Sequence, residues 1–128
     1  MSYYISTTLA GPFESVIERV KSELKQDGFG VLSDIDVEST LKQKLGVDFR
    51  KYRILGACNP PFSHRALQAE DKIGTLLPCN LIVQEKSDGT IEVAAVDPVV
   101  SMQGVENENV RKIAEEIRAI LRSVIDRL

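Results

Sequence analysis

The chain has 128 residues, a length that fits one domain with its own core. Hydrophobic residues make up 43%, charged residues 27% and aromatic residues 5%, so we expect a soluble domain over residues 1–128 with an aliphatic core. The formal net charge of −3 disfavours nucleic-acid binding, which needs basic surface to release counterions. We see no membrane-spanning run or secretory signal in the sequence, and therefore expect a cytoplasmic protein that binds no membrane.

Apolar spacing divides the first half of the chain into five elements. In order they are a strand over 3–9, a helix from Pro12 to Asp27, a strand over 29–37, a helix over 39–45 and a strand over 51–58. In the second strand, Ile35 shares a face with Val31, so Asp34 is predicted on the opposite face, in contact with water. The short helix is expected to pack through Leu41 and Leu45.

The second half adds a helix over 62–70, strands over 76–85 and 91–96, and a final helix from Val110 to Leu128. Ser87-Asp88-Gly89 is a tight turn that makes the two strands a hairpin. Asn107 or Asn109 is the expected cap of the final helix. The order β-α-β-α-β-α-β-β-α predicts an α+β fold: a single-layer mixed, largely antiparallel sheet of about five strands, packed by helices.

Chemistry-bearing residues concentrate between residues 58 and 80. Cys58 ends a strand just before a helix, whose backbone N–H groups favour a thiolate, and His64 follows about one turn later. These positions allow a nucleophile and its base, although no third, orienting residue is evident. The alternative is that Cys58 and Cys79 are small buried hydrophobes, as free cysteines usually are.

A metal site is the next alternative. Two cysteines 21 positions apart with one histidine do not form a zinc motif, so no metal ligand set is assigned. Cys58, Cys79 and Met102 would suit a soft ion such as copper(I) if they converged, and apolar packing is the competing explanation. The sequence has no glycine-rich phosphate loop and leaves the cofactor unknown.

Each cysteine is followed by an asparagine. Asn59 precedes a proline and suits a turn, and Asn80 falls inside a strand, where asparagine is uncommon. A polar amide in such a place usually has a definite hydrogen-bond partner, which is either structural or a ligand. If the two Cys-Asn pairs meet, they form a compact polar cluster at one end of the sheet.

Several stretches resemble domain-of-unknown-function family three hundred and two. They are DGFGVLSDIDV, TLKQKLGVDFRKYRILGACNPP, GTLLPCNLIVQE and a following loop with VDPVVSM. The resemblance covers nearly the whole chain and implies a compact α+β fold and a homodimer. The shared motif positions are Cys58, Asn59, Pro60, Pro61, Pro78, Cys79 and Asn80, with Met102 in the later loop. The family's name itself records that no general activity is established.

The favoured hypothesis is a homodimeric domain that binds a small molecule or soft metal ion. Its predicted ligand residues are Cys58, Asn59, His64, Cys79, Asn80 and Met102. Whether the protein is an enzyme stays open: the alternatives are a thiol-dependent enzyme or redox protein that uses Cys58 with His64, and a structural domain that dimerises through its wide apolar final helix.

Overall fold

The structure is a computed structural model that describes residues 2–128. Its strands and helices follow the predicted order, with two short helical segments added. They are β1 (Tyr4–Leu9), α1 (Phe13–Gln26), β2 (Gly30–Asp36), α2 (Val37–Leu45), β3 (Tyr52–Cys58), α3 (Pro60–Ala69), a 3₁₀ helix (Asp71–Leu76), β4 (Cys79–Glu85), β5 (Ile91–Val96), α4 (Pro98–Ser101) and α5 (Glu108–Arg127).

The five strands form one sheet in the order β1-β5-β4-β3-β2, and every neighbouring pair is antiparallel. The α+β architecture predicted from the sequence is confirmed, and the sheet is antiparallel throughout rather than mixed. Helices α1 and α5 lie against the same face of the sheet. The opposite face carries no helix of residues 2–128 across its centre. The candidate site lies on that face.

The core lies between the sheet and the two long helices. Alternate strand residues such as Leu55, Leu81 and Val93 are fully buried on the helical face. From α5, the apolar stripe from Val110 to Ile125 is buried against them. Because this stripe is used inside the molecule, a dimer contact through α5 stays a prediction for the apolar residues of the helix that face the surface.

The α5 amino terminus is closed by Asn107, one of its two predicted caps. The Asn107 side-chain oxygen accepts hydrogen bonds from the backbone N–H groups of Asn109 and Val110. Its amide nitrogen also donates to the Ala69 carbonyl oxygen at 2.8 Å, which ties α5 to the end of α3. Across residues 2–128, no helix combines the length and apolar content that crossing a membrane requires.

A β-bulge between Val31 and Ser33 overturns the predicted faces of β2. After the bulge, Asp34 lies opposite buried Leu55 on the helical face, where its carboxylate accepts two hydrogen bonds from Arg53, at 2.7 and 2.6 Å. The Arg53 hydrogen bond lowers the pKa of Asp34 below its ordinary value. Ile35 moves to the opposite face and is 48% exposed. One extra residue reversed the alternation, because side chains change face at every position.

Helix α2 begins at Val37, two residues earlier than predicted, because the Asp36 side chain accepts a hydrogen bond from the Ser39 N–H. All nine of its residues are at least partly exposed to solvent. The predicted packing of Leu45 is wrong, since 69% of that residue is accessible.

Candidate functional site

The Cys58 thiol lies at the amino end of α3, as predicted, but its neighbour is not the histidine. Its Sγ is 3.0 Å from the Ser63 Oγ, and the side chain is half-buried. His64 is the next residue along α3 and is exposed. The structure therefore places a hydroxyl, and not an imidazole, beside the sulfur.

Asn59 is buried, and its side chain joins the β3–α3 junction to the end of α1. Its amide nitrogen donates to the backbone oxygen of Asp27 at 3.1 Å, just past the end of α1. The contact is close to Gly28, whose φ of 84° is a left-handed conformation that favours glycine. This hydrogen bond is the structural brace that was one of the two roles predicted for the asparagines.

Cys79 and Met102 both belong to the hydrophobic core, with 5% of each residue exposed. Burial raises the pKa of the Cys79 thiol to about 11, since a thiolate is poorly solvated among aliphatic side chains. Its partner in the register is Ala57, on the helical face. The structure thus gives Cys79 the packing environment that the sequence left as an alternative to reactivity.

The two Cys-Asn pairs are adjacent in the sheet, but their side chains do not line one hollow. Because Ala57 pairs with Cys79, Cys58 falls on the opposite side of the pleat from the buried sulfur. A small hollow of about 220 Å³ is lined by Cys79 and Asn80 together with residues 75–78, Val96 and Ser101. Cys58 and Asn59 are not among its lining residues. Residues 2–128 also contain no cluster of three or more His, Cys, Asp or Glu side chains suited to a metal ion.

Asn80 is exposed on the uncovered face of the sheet and lines a larger groove there, of about 430 Å³. We call this the tyrosine groove; its lining is Tyr3, Tyr4, Tyr52, Asn80, Ile82, Gln84, Lys86, Glu92, Ala94, Ala95 and Val96. It was not predicted as a site, and it brings together four strands, β1, β5, β4 and β3.

The floor of the tyrosine groove is aliphatic. Ile82 pairs with Ala94 across β4 and β5, and Ile54 continues the row on β3. Ala94 has a short side chain, so the floor is low at the centre of the sheet. An apolar floor on a strand face is suited to contact with an apolar surface.

Aromatic side chains stand at two opposite corners of the tyrosine groove. At one corner, the rings of Tyr3 and Tyr4 meet edge to face, with centroids 5.1 Å apart. At the other, Tyr52 lies 6.3 Å from Phe49, and the Arg50 guanidinium lies over both rings, 5.4 and 4.4 Å from their centroids. The chain has three tyrosines, and all three line this groove.

The charged groups at the Tyr52 end of the tyrosine groove are linked through Gln84 and Glu92. Arg50 donates to the Gln84 side-chain oxygen at 2.8 Å, and the Gln84 amide donates to Glu92 at 2.7 Å. Lys86 lies 3.7 Å from the same Glu92 oxygen. At the other end, Asn80 faces Gly56 across the β3–β4 pair, and its amide is solvated and accessible. The groove therefore offers this neutral amide together with the exposed side chains of Tyr3, Tyr4 and Lys86.

Two sequence signals pointed to this face and were missed. Ile54-Leu55 and Leu81-Ile82-Val83 are apolar at consecutive positions, so both faces of β3 and β4 carry apolar side chains. A strand with one wet face alternates apolar and polar residues instead. The predicted hairpin also implied that Gln84 and Glu92 would meet.

Comparison with known proteins agrees with the fold and leaves the chemistry open. The family model "Domain of unknown function DUF302" matches residues 5–128. The chain belongs to the DUF302 family. This DUF302 chain is also similar to the crystal structure of an uncharacterized conserved protein DUF302 from Bacillus stearothermophilus, at 30% identity, with 99% of this chain and 98% of that chain covered and a TM-score of 0.92. No curated protein matches it.

The match confirms the family that was predicted from the LGACNPP and LLPCN motifs. In this DUF302 domain those motifs form the β3–α3 junction and the start of β4, where Asn59 and Cys79 are buried. The family has no established activity, so its name assigns no role to these residues.

Proposed function

We propose that this DUF302 domain is a non-catalytic homodimer that binds a small molecule on the uncovered face of its sheet. The observation that carries the ligand site is the tyrosine groove, whose volume of about 430 Å³ lies within the usual range for small-molecule sites. It joins an apolar floor to aromatic walls and an accessible amide, the combination by which proteins hold small organic molecules. Asn80 is the member of the predicted ligand set that lines this groove.

The second copy is proposed to cover the α2 patch, formed by Leu32, Ile35, Leu45 and Val47, which adjoins the tyrosine groove because Ile35 is the register partner of Ile54 on the same face. These side chains on β2, α2 and the following loop are 72%, 48%, 69% and 44% exposed. A nine-residue helix is marginal in water without tertiary packing, and α2 receives little from its own chain. A two-fold dimer that packs one α2 against the other supplies that missing burial.

Charge on α2 is compatible with contact between identical surfaces. Glu38 lies in the first turn, whereas Lys42 and Lys44 lie in the last. Two helices related by a two-fold axis run antiparallel where they cross perpendicular to it, so the acidic turn of one meets the basic turn of the other. An all-basic or all-acidic helix would repel its copy.

Sedimentation equilibrium tests the dimer directly. We expect the wild type to be dimeric at tens of micromolar, and the double variant Leu45→Lys, Val47→Lys to be monomeric with an unchanged circular dichroism spectrum. Leu67→Lys is the matched control, because Leu67 is 45% exposed on α3 and outside the α2 patch. A wild type that stays monomeric at this concentration, or a double variant that stays dimeric, would refute the assignment.

A thiol-dependent activity is the second candidate, favoured by one observation. The half-buried Cys58 sulfur contacts Ser63 at the amino terminus of α3, where the sequence predicts a nucleophile. Against it, exposed His64 is not the sulfur's neighbour. Alkylation as a function of pH separates the candidates: a Cys58 that reacts only near the ordinary thiol pKa of about 8.5 is not an activated nucleophile. The soft-metal alternative has less support, since two of its three ligands, Cys79 and Met102, are core residues.

A further inference from the structure

We infer that the free edge of β1 is a docking site for an extended, uncharged segment of another protein, which adds to the sheet as a further antiparallel strand. β1 is one of the two edge strands, and its central residues Ser6 and Thr8 do not line the tyrosine groove. Three observations carry the inference: the direction of the β1 backbone groups, the absence from β1 of the features that protect β2, and the exposure of its side chains.

A hydrogen bond at the end of β1 shows which of its residues face the free edge. The Asp97 N–H donates to the Tyr3 carbonyl oxygen at 2.8 Å, one step beyond the last pair of the β1–β5 register. Because hydrogen-bonded pairs alternate along antiparallel strands, the odd-numbered residues of β1 direct their N–H and C=O groups toward β5. Ser6 and Thr8 direct theirs away from β5, where residues 2–128 provide no neighbouring strand.

The backbone of Tyr4 also faces the free edge, but Ser2 occupies it. The Ser2 Oγ donates to the Tyr4 carbonyl oxygen at 2.9 Å and accepts from the Tyr4 N–H at 3.4 Å. The free edge therefore begins at Ser6 and offers two N–H and two C=O groups on alternate residues. A second extended backbone presents donors and acceptors at the same repeat, which is how a strand is recognised by a sheet edge.

The other edge strand carries protection that β1 lacks. β2 has a bulge between Val31 and Ser33 and carries Asp34 and Asp36, and bulges and charges are features by which natural edge strands resist pairing. In β1 the register with β5 is unbroken over all six residues, and the strand has no charge and no proline. Its composition, with isoleucine and two threonines, favours strand pairing.

The side chains of β1 define the alternation expected in the partner. On the helical face, Thr7 and Leu9 are half-buried, so apolar side chains placed beside them would complete their burial. On the uncovered face, Ser6 and Thr8 expose hydroxyl groups, which pair well with threonine or serine on the next strand. Because β1 has no charge, a charged partner strand gains no ion pair from it. The expected partner alternates small polar residues with apolar ones.

A second copy of this chain is not the expected strand. The β1 edge and the α2 patch lie at opposite edges of the sheet. A two-fold contact at each edge would join copies into an open chain and not into a closed dimer. This choice of partner rests on the α2-patch dimer proposed above, whereas the position of the docking edge does not.

The capped peptide acetyl-Ser-Thr-Val-Thr-Val-Thr-Ser-amide is the probe, because it is uncharged and alternates threonine with valine. Titrated to about 2 mM into nitrogen-15-labelled protein, it should give saturable amide shifts over residues 5–9 and slow hydrogen exchange at Ser6 and Thr8 by about tenfold. In the antiparallel pairing, its threonines lie opposite Ser6 and Thr8 and direct their backbone groups toward β1. N-methylation of two threonines should abolish binding, whereas N-methylation of the two valines should preserve it.

Thr8→Pro tests the same edge from the side of the protein. The Thr8 N–H points away from β5, so proline removes a donor for the added strand without removing a hydrogen bond of the sheet. It should weaken peptide binding by about tenfold or more and leave the circular dichroism spectrum unchanged. Thr8→Val is the matched control, because it keeps the N–H and the shape of the side chain, and it should bind the peptide within about twofold of the wild type.

Three results would overturn the inference. The first is no amide shift over residues 5–9 up to about 2 mM peptide. The second is equal binding of the threonine-methylated and parent peptides, which would mean that the contact does not use the backbone. The third is a lower sedimentation mass of the Thr8→Pro protein without peptide, which would make a second copy the occupant of the edge. The α2 patch is tested by its own variants, so its failure and the failure of the β1 edge are distinguishable.

Discussion

Replacing Asn59 with aspartate changes one atom of the hydrogen bond that joins the β3–α3 junction to the end of α1. In the wild type, the amide nitrogen donates to the Asp27 carbonyl oxygen at 3.1 Å, and only 7% of Asn59 is exposed. In the variant Asn59→Asp, an ionised carboxylate faces that carbonyl with no proton to donate, and a poorly solvated acceptor is left without a partner. The structure therefore predicts a loss of folding stability.

The magnitude follows from two opposing effects. An unsatisfied, charged acceptor at this depth costs about 2–4 kcal/mol of unfolding free energy. An anion near the amino terminus of α3 recovers about 0.3–1 kcal/mol through the helix dipole. The net destabilisation is about 1–4 kcal/mol, which is a sizeable part of the 5–15 kcal/mol typical of a domain. Asn59→Ala should cost less, about 0.5–1.5 kcal/mol, because it removes the hydrogen bond without adding a charge.

Urea unfolding monitored by circular dichroism measures these differences. The pH dependence adds a second check, because the protonated aspartic acid can donate to the Asp27 oxygen. The neutral form is favoured in the folded state, so the folded pKa is raised above the unfolded value near 3.9. The penalty is therefore absent below about pH 3.9, grows as the pH rises, and is complete above the folded pKa. Asn80→Asp is the matched control on an exposed amide, with an expected change below about 0.5 kcal/mol. An Asn59→Asp variant as stable as the wild type at pH 7 would refute the structural role.

Three further predictions concern a close approach of two strands, an ion pair and a buried thiol. Gly56→Ala should destabilise by about 1–3 kcal/mol in urea unfolding, because the added Cβ would lie 2.8 Å from the Pro78 ring. Asp34→Asn should destabilise at pH 7 by about 0.5–1 kcal/mol, since the ion pair with Arg53 that it removes is partly exposed and screened by solvent. The deficit should vanish in acid, because the lowered pKa of Asp34 means that its contribution is present above about 3.8 and is lost as the pH falls through the folded value. Cys79 should resist iodoacetamide at pH 8 until the protein unfolds, since a pKa of about 11 leaves roughly one thiol in a thousand ionised.

Each of these has an internal control. Gly104→Ala adds a Cβ that meets no atom of residues 2–128 within 4 Å, so it should be nearly neutral. Asp48→Asn removes an ion pair with Lys42 in which the aspartate side chain is 94% exposed. Its effect on unfolding free energy should be near zero at pH 7 and in acid. Cys58, which is half-buried, should be alkylated in the folded protein. Equal labelling of both cysteines before unfolding would contradict the burial of Cys79.

The order of the elements was predictable because local patterns determine it. The 3.6-residue spacing of α1 and α5 and the turn before β5 are visible in the sequence without knowledge of the fold. The faces of β2 were not predictable, because the bulge at Val31 and Ser33 leaves no clear sequence mark and reverses every later side chain. The packing of α2 was misjudged for a different reason: Leu45 has the spacing of a core residue, but this chain alone does not bury it.

The site was predictable only in part. Adjacent strands brought Cys58 and Cys79 close in the sheet, as the motifs suggested, but the pleat separates their side chains. The pairing of Ala57 with Cys79 places the two sulfurs on opposite faces of the sheet, and the sequence did not specify that pairing. The tyrosine groove depends on Tyr4 and Tyr52 lying on one face of strands that are far apart along the chain. That arrangement follows from the strand order, which was not predicted.

The central claim is that this DUF302 domain binds its ligand on the uncovered face of the sheet and not at the Cys58–Ser63 junction. An amide NMR titration of the labelled protein with a library of small organic molecules locates the binding residues in one experiment. We expect shifts at residues 80–84 and 92–96 and at Tyr4, with residues 58–63 unmoved. Shifts centred on residues 58–63, with β5 unaffected, would contradict the claim and return the site to the cysteine at the start of α3.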